Sequence, residues 1–127
     1  MPFLLDTHAF AWWVLNDKRL SPKAFSVIER GLDIYVSAVV AWEISGKVRI
    51  GKWPEAAELS ERFLETIAHY AMLPLPIGLD HAHLAGSLAG IHRDPFDRML
   101  AAQSIIEDMH LVTADPAFRE FAVKVLW

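Results

Sequence analysis

The 127-residue chain has no cysteine. Disulfides and thiolate metal sites are therefore excluded, and stability has to come from an ordinary apolar core. Long apolar runs are missing too: nothing approaches the roughly 20 residues that a membrane-spanning helix needs. The N-terminal Met-Pro-Phe-Leu-Leu reaches Asp6 too soon for the apolar region of a signal peptide. Basic residues are few, with 12 Lys and Arg against 16 Asp and Glu, for a net charge of −4. Affinity for a phosphate backbone comes largely from Lys and Arg. A nucleic-acid role would then require a bound cation that reverses the local charge, or a basic partner. These absences lead us to expect one cytoplasmic domain over residues 1–127, with no membrane association.

What the chain does contain is apolar residues, at 54%. That is enough for a full core and for a sticky surface that a partner would cover. Phe3 to Leu5 is a short apolar run, read as a buried strand ending at Asp6. Ala9 to Leu15 suits a short helix. Ser21-Pro22 starts another, with Ser as cap and Pro at the first helical position, and it stops near Gly31. Asp33 to Val36 reads as a strand, with Ser37 capping a helix through Trp42, Glu43 and Lys47.

Glu55 to Tyr70 carries helical periodicity with Leu59, Phe63, Leu64 and Ile67 on one face. Met72 to Ile77 contains Pro74 and Pro76, which restricts it to an edge strand. Asp80 is the expected cap of a helix to about Ala89, and Asp94-Pro95 starts the longest one, to about Asp108. His110 to Thr113 is a further strand, Asp115-Pro116 starts a short helix, and Phe121 to Leu126 closes as a final strand. Strands alternating with helices at this spacing predict a three-layer α/β/α fold around a mostly parallel sheet of four or five strands. Ligands of such sheets sit beyond the carboxyl ends of the strands, where Asp6 and Asp115 fall.

Each acid also has a purely structural explanation. Asp94 is an N-cap with Pro95 at N1, which puts Asp97 at N3, a place an acid favours for the helix dipole. Asp115-Pro116 repeats that logic, and Asp6 or Thr7 would cap the Ala9 helix. Glu43 is different: it lies too deep in its helix to cap and is embedded in apolar sequence, where an ionised carboxylate is costly unless paired or metal-bound. Lys47, four residues on, is the structural alternative as its ion-pair partner. A few carboxylates plus water is the ligand set of Mg²⁺ or Mn²⁺, and such a cation would make an acidic rim attractive to phosphate. Arg93, Arg98 and His92 lie beside the acids as candidate phosphate contacts. His81 and His83 are two apart, a spacing that speaks against a zinc site, and His8 is near Asp6 as a substrate or packing residue. Trp12, Trp13 and Trp42 are expected in the core rather than as base-stacking surfaces.

Four ordered segments together resemble a known family: Leu4-Leu5-Asp6-Thr7-His8-Ala9-Phe10 with Trp12-Trp13; Ser37 with Trp42-Glu43-Ile44 and Lys47; His92-Arg93-Asp94-Pro95-Phe96-Asp97-Arg98; and Leu111-Val112-Thr113-Ala114-Asp115. They are similar to PIN domains, most of all to the VapC-type toxins of prokaryotic toxin–antitoxin pairs. The resemblance implies a Mg²⁺- or Mn²⁺-dependent endoribonuclease with Asp6, Glu43, Asp97 and Asp115 as the catalytic and metal-binding acids. It implies an RNA substrate, a cognate antitoxin partner and a homodimer. Thr7 and Thr113 are candidates to position a water, and Asp94 is kept as a cap outside the acid set. Ala114 departs from the polar or basic residue that relatives often carry there. Two other readings stay open on the sequence: an Asp-based phosphotransfer enzyme, and a catalytically silent binding module on the same fold.

Overall fold

The computed structural model describes residues 1–127. Five short strands, β1 (Phe3–Leu5), β2 (Ile34–Ser37), β3 (Leu73–Leu75), β4 (His110–Val112) and β5 (Lys124–Leu126), form one sheet in the order β3-β2-β1-β4-β5. Every pairing is parallel, so every connection is a crossover. The central strand is in register with both neighbours, Leu5 opposite Val36 on one side and Val112 on the other. Such strands are covered on both faces, and Leu4, Leu5, Leu111 and Val112 are fully buried. Pro74 sits in β3 at the sheet edge, where a missing N–H costs no central ladder bond.

Helices α1 (Thr7–Val14), α2 (Pro22–Arg30), α3 (Ala38–Arg49), α4 (Ala57–Glu61), α5 (Phe63–His69), α6 (Leu79–Ser87) and α7 (Pro95–Ile106) complete the α/β/α layers. None is long and apolar enough to cross a membrane. Local chemistry sets most of the starts. Asp6 accepts from Ala9 N–H, Ser21 from Ala24 N–H, Ser37 from Val39 N–H, and Asp94 from the N–H groups of Phe96 and Asp97. Because the chain winds from β1 through β2 to β3 and then returns to β4 on the other side of β1, the crossovers diverge at the β1/β4 boundary. The crevice at the carboxyl ends of those two strands is the topological switch point, where open parallel sheets bind ligands.

Four sequence expectations change. The helix expected over Glu55 to Tyr70 is a 3₁₀ turn at Pro54–Ala56 followed by α4 and α5, separated at Arg62. With that break, burial narrows to Leu59, Phe63 and Ile67, and Leu64 is 81% exposed. The cap of α6 is Gly78 rather than Asp80. The His81 ring reaches back from the first turn so that Nδ1 accepts the Gly78 N–H, the part usually played by a Glu or Gln in a capping box. Trp42 is not in the core but 64% exposed, edge-on to Phe96 at 5.1 Å, whereas Trp12 and Trp13 pack against the core as expected.

Arg98 is the fourth. Its Nε donates to the carbonyl of Ala85 at 2.7 Å and its Nη1 to that of His92 at 2.9 Å, while Nη2 donates to that of Leu88. The guanidinium thus satisfies the carbonyls at the end of α6 and in the loop that enters α7, instead of facing solvent for a phosphate. Exposed Arg93 is in no ion pair. Charge-assisted bonds of this kind are worth more than neutral ones, so Arg98→Met should lower stability by about 2–4 kcal/mol in urea unfolding, and Arg93→Met by less than about 0.5 kcal/mol.

Candidate acidic site at the switch point

Asp6 follows directly from β1, and its backbone N–H extends the ladder by bonding the Val112 carbonyl at 3.1 Å. The strand therefore fixes the residue, and the α1 cap at 2.8 Å fixes its Oδ1. The side chain is buried and belongs to no ion pair. Loss of hydration pushes its pKa up to about 7, with the charges of Asp97 and Glu43 adding to the rise and bonds from Thr113 and Ala9 opposing it.

Glu43 comes from the second turn of α3 and is buried like Asp6. Unlike Asp6 it has a cation, with Lys47 Nζ 2.7 Å from Oε2, while Oε1 accepts the Thr7 hydroxyl. The i,i+4 partner considered from sequence is thus present, and Thr7 spends its hydroxyl on Glu43. Asp97, at N3 of α7, is paired with His92 Nε2 at 2.8 Å. Burial raises its pKa to about 6 against the pull of His92, with Asp94 and Glu43 adding repulsion. The same bond holds the His92 imidazolium above its usual range.

Asp6 feels the charges of Glu43 and Asp97, and Asp97 that of Glu43, so acids from the end of β1, from α3 and from α7 lie near enough to raise one another's pKa. Asp115 reaches the group from another direction: with Asp6 it lines a cleft of about 310 Å³ that also includes His8, Trp12, Arg19 and Ala114. Asp115 is exposed, accepts from Ala117 N–H as cap of the Pro116–Glu120 3₁₀ turn, and donates its own N–H to Thr113 Oγ1. Asp94 keeps to capping. Sequence reasoning left two features out. One is the His92–Asp97 pair. The other is the aromatic wall of the cleft, whose signal was the placement of His8 and Trp12 on the helix that Asp6 caps.

One other cluster has a metal-like spacing. Ligand atoms of Asp80, His81 and Glu107 lie within 4.8 Å of one another, close enough to share a divalent ion. It is remote from the acids, because Glu107 ends the helix that Asp97 begins, about 15 Å away at 1.5 Å per residue. Its histidine is also committed. With Nδ1 accepting from Gly78, the ring proton is on Nε2, which donates to Glu107 Oε2 at 2.8 Å. A ligating histidine usually has the reverse arrangement, a bare nitrogen toward the ion and an N–H toward an acceptor. The cluster therefore serves as a tie between α6 and the end of α7.

The rise in the Asp6 pKa has a thermodynamic sign. Between pH 4 and 7 the folded state holds a proton that the unfolded carboxyl, near 3.8, has already lost, so this residue's contribution to stability falls as pH rises through that window. Asp6→Asn keeps a capping oxygen and removes the charge. In the absence of divalent ions its Tm should exceed that of the wild type by about 5 °C or more at pH 8, and the difference should shrink toward zero at pH 4. A wild type more stable than the variant at pH 8 would contradict an uncompensated buried charge.

Comparison with known proteins gives the family and the fold. The model of the PIN domain matches residues 3–124. Ribonuclease VapC22 of Mycobacterium tuberculosis is 28% identical over 119 residues, 91% of this chain and 88% of that protein. Among solved structures, VapBC2 from Rickettsia felis, bound to a DNA fragment from its promoter, superposes with a TM-score of 0.73 at 17% identity, covering 99% of this chain and 98% of the other. FitAcB from Neisseria gonorrhoeae gives 0.69 at 22% identity, over 98% and 96%. At these identities the structures establish the fold, which resembles that of VapC- and FitAB-type toxin–antitoxin proteins. With the family pattern running from the first strand into the last, the chain belongs to the PIN domain family.

Proposed function

We propose that this protein is a Mg²⁺- or Mn²⁺-dependent endoribonuclease and the toxin of a toxin–antitoxin pair. The observation that carries the reading is Asp6: a carboxylate buried at the switch point without a cation, and within reach of the charges of two further acids. Burying such a charge is costly unless a cation offsets it, and oxygen donors alone are the set a hard divalent ion takes. In this proposal Asp6 and Asp97 are the main ligands, and Glu43 and Asp115 complete the site. When bound, the ion lowers the pKa of a water and offsets charge that builds on the phosphate.

The protein's own residues do the rest. Thr7 and Lys47 hold Glu43 in one orientation, and His92 does the same for Asp97. Thr113 holds the Asp115 backbone and contributes a hydroxyl near Asp6. Arg93 is free to meet a flanking phosphate, whereas Arg98 is left out because its donors are already engaged. The name of the mycobacterial relative supports ribonuclease chemistry. The structural neighbours support an antitoxin partner, since one is described as a toxin–antitoxin complex from Klebsiella pneumoniae. An apolar groove of about 690 Å³, lined by Ala38, Ala41, Leu64, Ile67, Pro74 and Pro76 among others, leaves surface for that partner or for a second copy in a homodimer.

The test is RNA cleavage by purified wild type, Asp6→Asn and Asp97→Asn with Mg²⁺, Mn²⁺ or EDTA. The wild type should cut with either metal and stop in EDTA. Each variant should lose at least ~100-fold, the upper end of what disturbing only the support of a metal ligand costs. Activity that persists in EDTA or in either variant would sink the proposal.

A further inference from the structure

The pair of Glu43 and Lys47 puts a permanent positive charge inside the acidic rim, and the hydrolytic proposal uses it only to fix an orientation. Lys47 Nζ lies 2.7 Å from Glu43 Oε2, one turn further along α3, and Oε1 accepts the Thr7 hydroxyl. Both carboxylate oxygens of this buried residue are thus engaged within the protein. The ammonium also lies over the Trp53 ring, 5.9 Å from its centroid. Its charge and that of Glu43 are both felt at His8, which lines the cleft with Asp6 and Asp115. The other acids are less committed. Asp6 has no ion pair, Asp97 gives His92 one oxygen, Oδ2, and exposed Asp115 uses Oδ1 as a cap.

We propose that Lys47 takes the place of a second divalent ion: it keeps Glu43 out of direct coordination, so that the site holds one Mg²⁺ or Mn²⁺, on Asp6 and Asp97. The inference rests on the metal-nuclease reading and adds the number of ions and the way Glu43 acts. Three considerations support it. An ion bonded to Oε2 at roughly 2.1 Å would lie within about 5 Å of the ammonium, where like charges repel strongly in a partly buried site. Lys47 is tethered to the same helix as Glu43, so a free ion competes against a cation of high effective concentration. Finally, Mg²⁺ sheds its waters reluctantly and is usually bound through one or two carboxylates. Asp6 and Asp97 supply that number, which leaves Glu43 to accept from one of the ion's waters. Lys47 is then a positioning residue: it acts on the ion through Glu43 and by its charge.

The test counts bound ions rather than cleavage. Metal-free full-length protein is titrated with Mn²⁺, and the free ion is read from its electron paramagnetic resonance signal. Wild type and Lys47→Arg should each bind one Mn²⁺ per chain. Lys47→Met should bind two, and the second should be lost again when Lys47→Met is combined with Glu43→Gln, which removes both charges of the pair. Glu43→Gln alone should keep one ion, its affinity lowered by no more than the roughly 10- to 100-fold that outer-shell partners contribute. Asp6→Asn should lose the ion. Because Lys47→Met strands a buried carboxylate and can fail to fold without metal, the wild-type count and Glu43→Gln decide the matter on their own. Two ions of similar affinity in the wild type would overturn the inference and leave the nuclease reading standing. So would a single ion in folded Lys47→Met, or loss of the ion from Glu43→Gln. A wild type that binds no Mn²⁺ would overturn both.

Discussion

The structure turns on one electrostatic constraint: a carboxylate is buried at the carboxyl end of the central strand with no cation of its own. The ladder bond to Val112 fixes the Asp6 backbone, and its carboxylate cannot swing out to water without giving up the cap on α1. Its neighbours are treated differently. Glu43 has Lys47 and Asp97 has His92, each at ion-pair distance. Two acids are thereby neutralised locally while the third is left to hold a proton or to attract a positive ion. An overall charge of −4 says nothing about this arrangement. The relevant quantity is the imbalance in a space a few ångströms across, which is why an acidic protein is compatible with phosphate chemistry.

Legibility from sequence followed distance along the chain. Caps at Asp6, Ser21, Ser37 and Asp94 were readable because donor and acceptor lie within three residues and depend on residue type. Pro74 marked its strand as an edge for a similarly local reason. The Glu43–Lys47 pair was readable because helical periodicity brings i and i+4 together. Arg98 was misjudged because its acceptors are backbone carbonyls 6 to 13 residues away, which carry no signature in the residue types around it. The exposure of Trp42 had no local sign either, since an indole amid Val, Ala and Ile looks like core until tertiary packing decides which face of α3 is covered. The break at Arg62 belongs to the same class: the periodicity of Leu59, Phe63 and Ile67 survives it, while the continuity of the helix does not.

The acids were legible as individual candidates and became a group only through topology. Asp6 and Asp115 share a cleft because β1 and β4 are adjacent, and Asp6 feels the charges of Glu43 and Asp97 from two helices, α3 and α7, that are far from it in sequence. The contrast with Asp80, His81 and Glu107 is instructive. There the spacing alone looks suitable for a metal, yet both ring nitrogens of His81 are already engaged within the protein. Proximity of donor atoms is thus a weaker guide than the hydrogen-bond roles those atoms already have.

The placement of β1 between β2 and β4 has a consequence for timing. Leu5 pairs with Val112, so the central strand stays half-paired until the last sixth of the chain has arrived. At synthesis rates of about 5–20 residues per second, any N-terminal segment emerging from a ribosome carries Asp6 and Glu43 for seconds without the wall that encloses them. The cleft beside Asp6 and Asp115 does not exist in such a fragment. A chain built this way is chemically incomplete while it is being made, and it acquires its enclosed acids in one late step that also closes the fold.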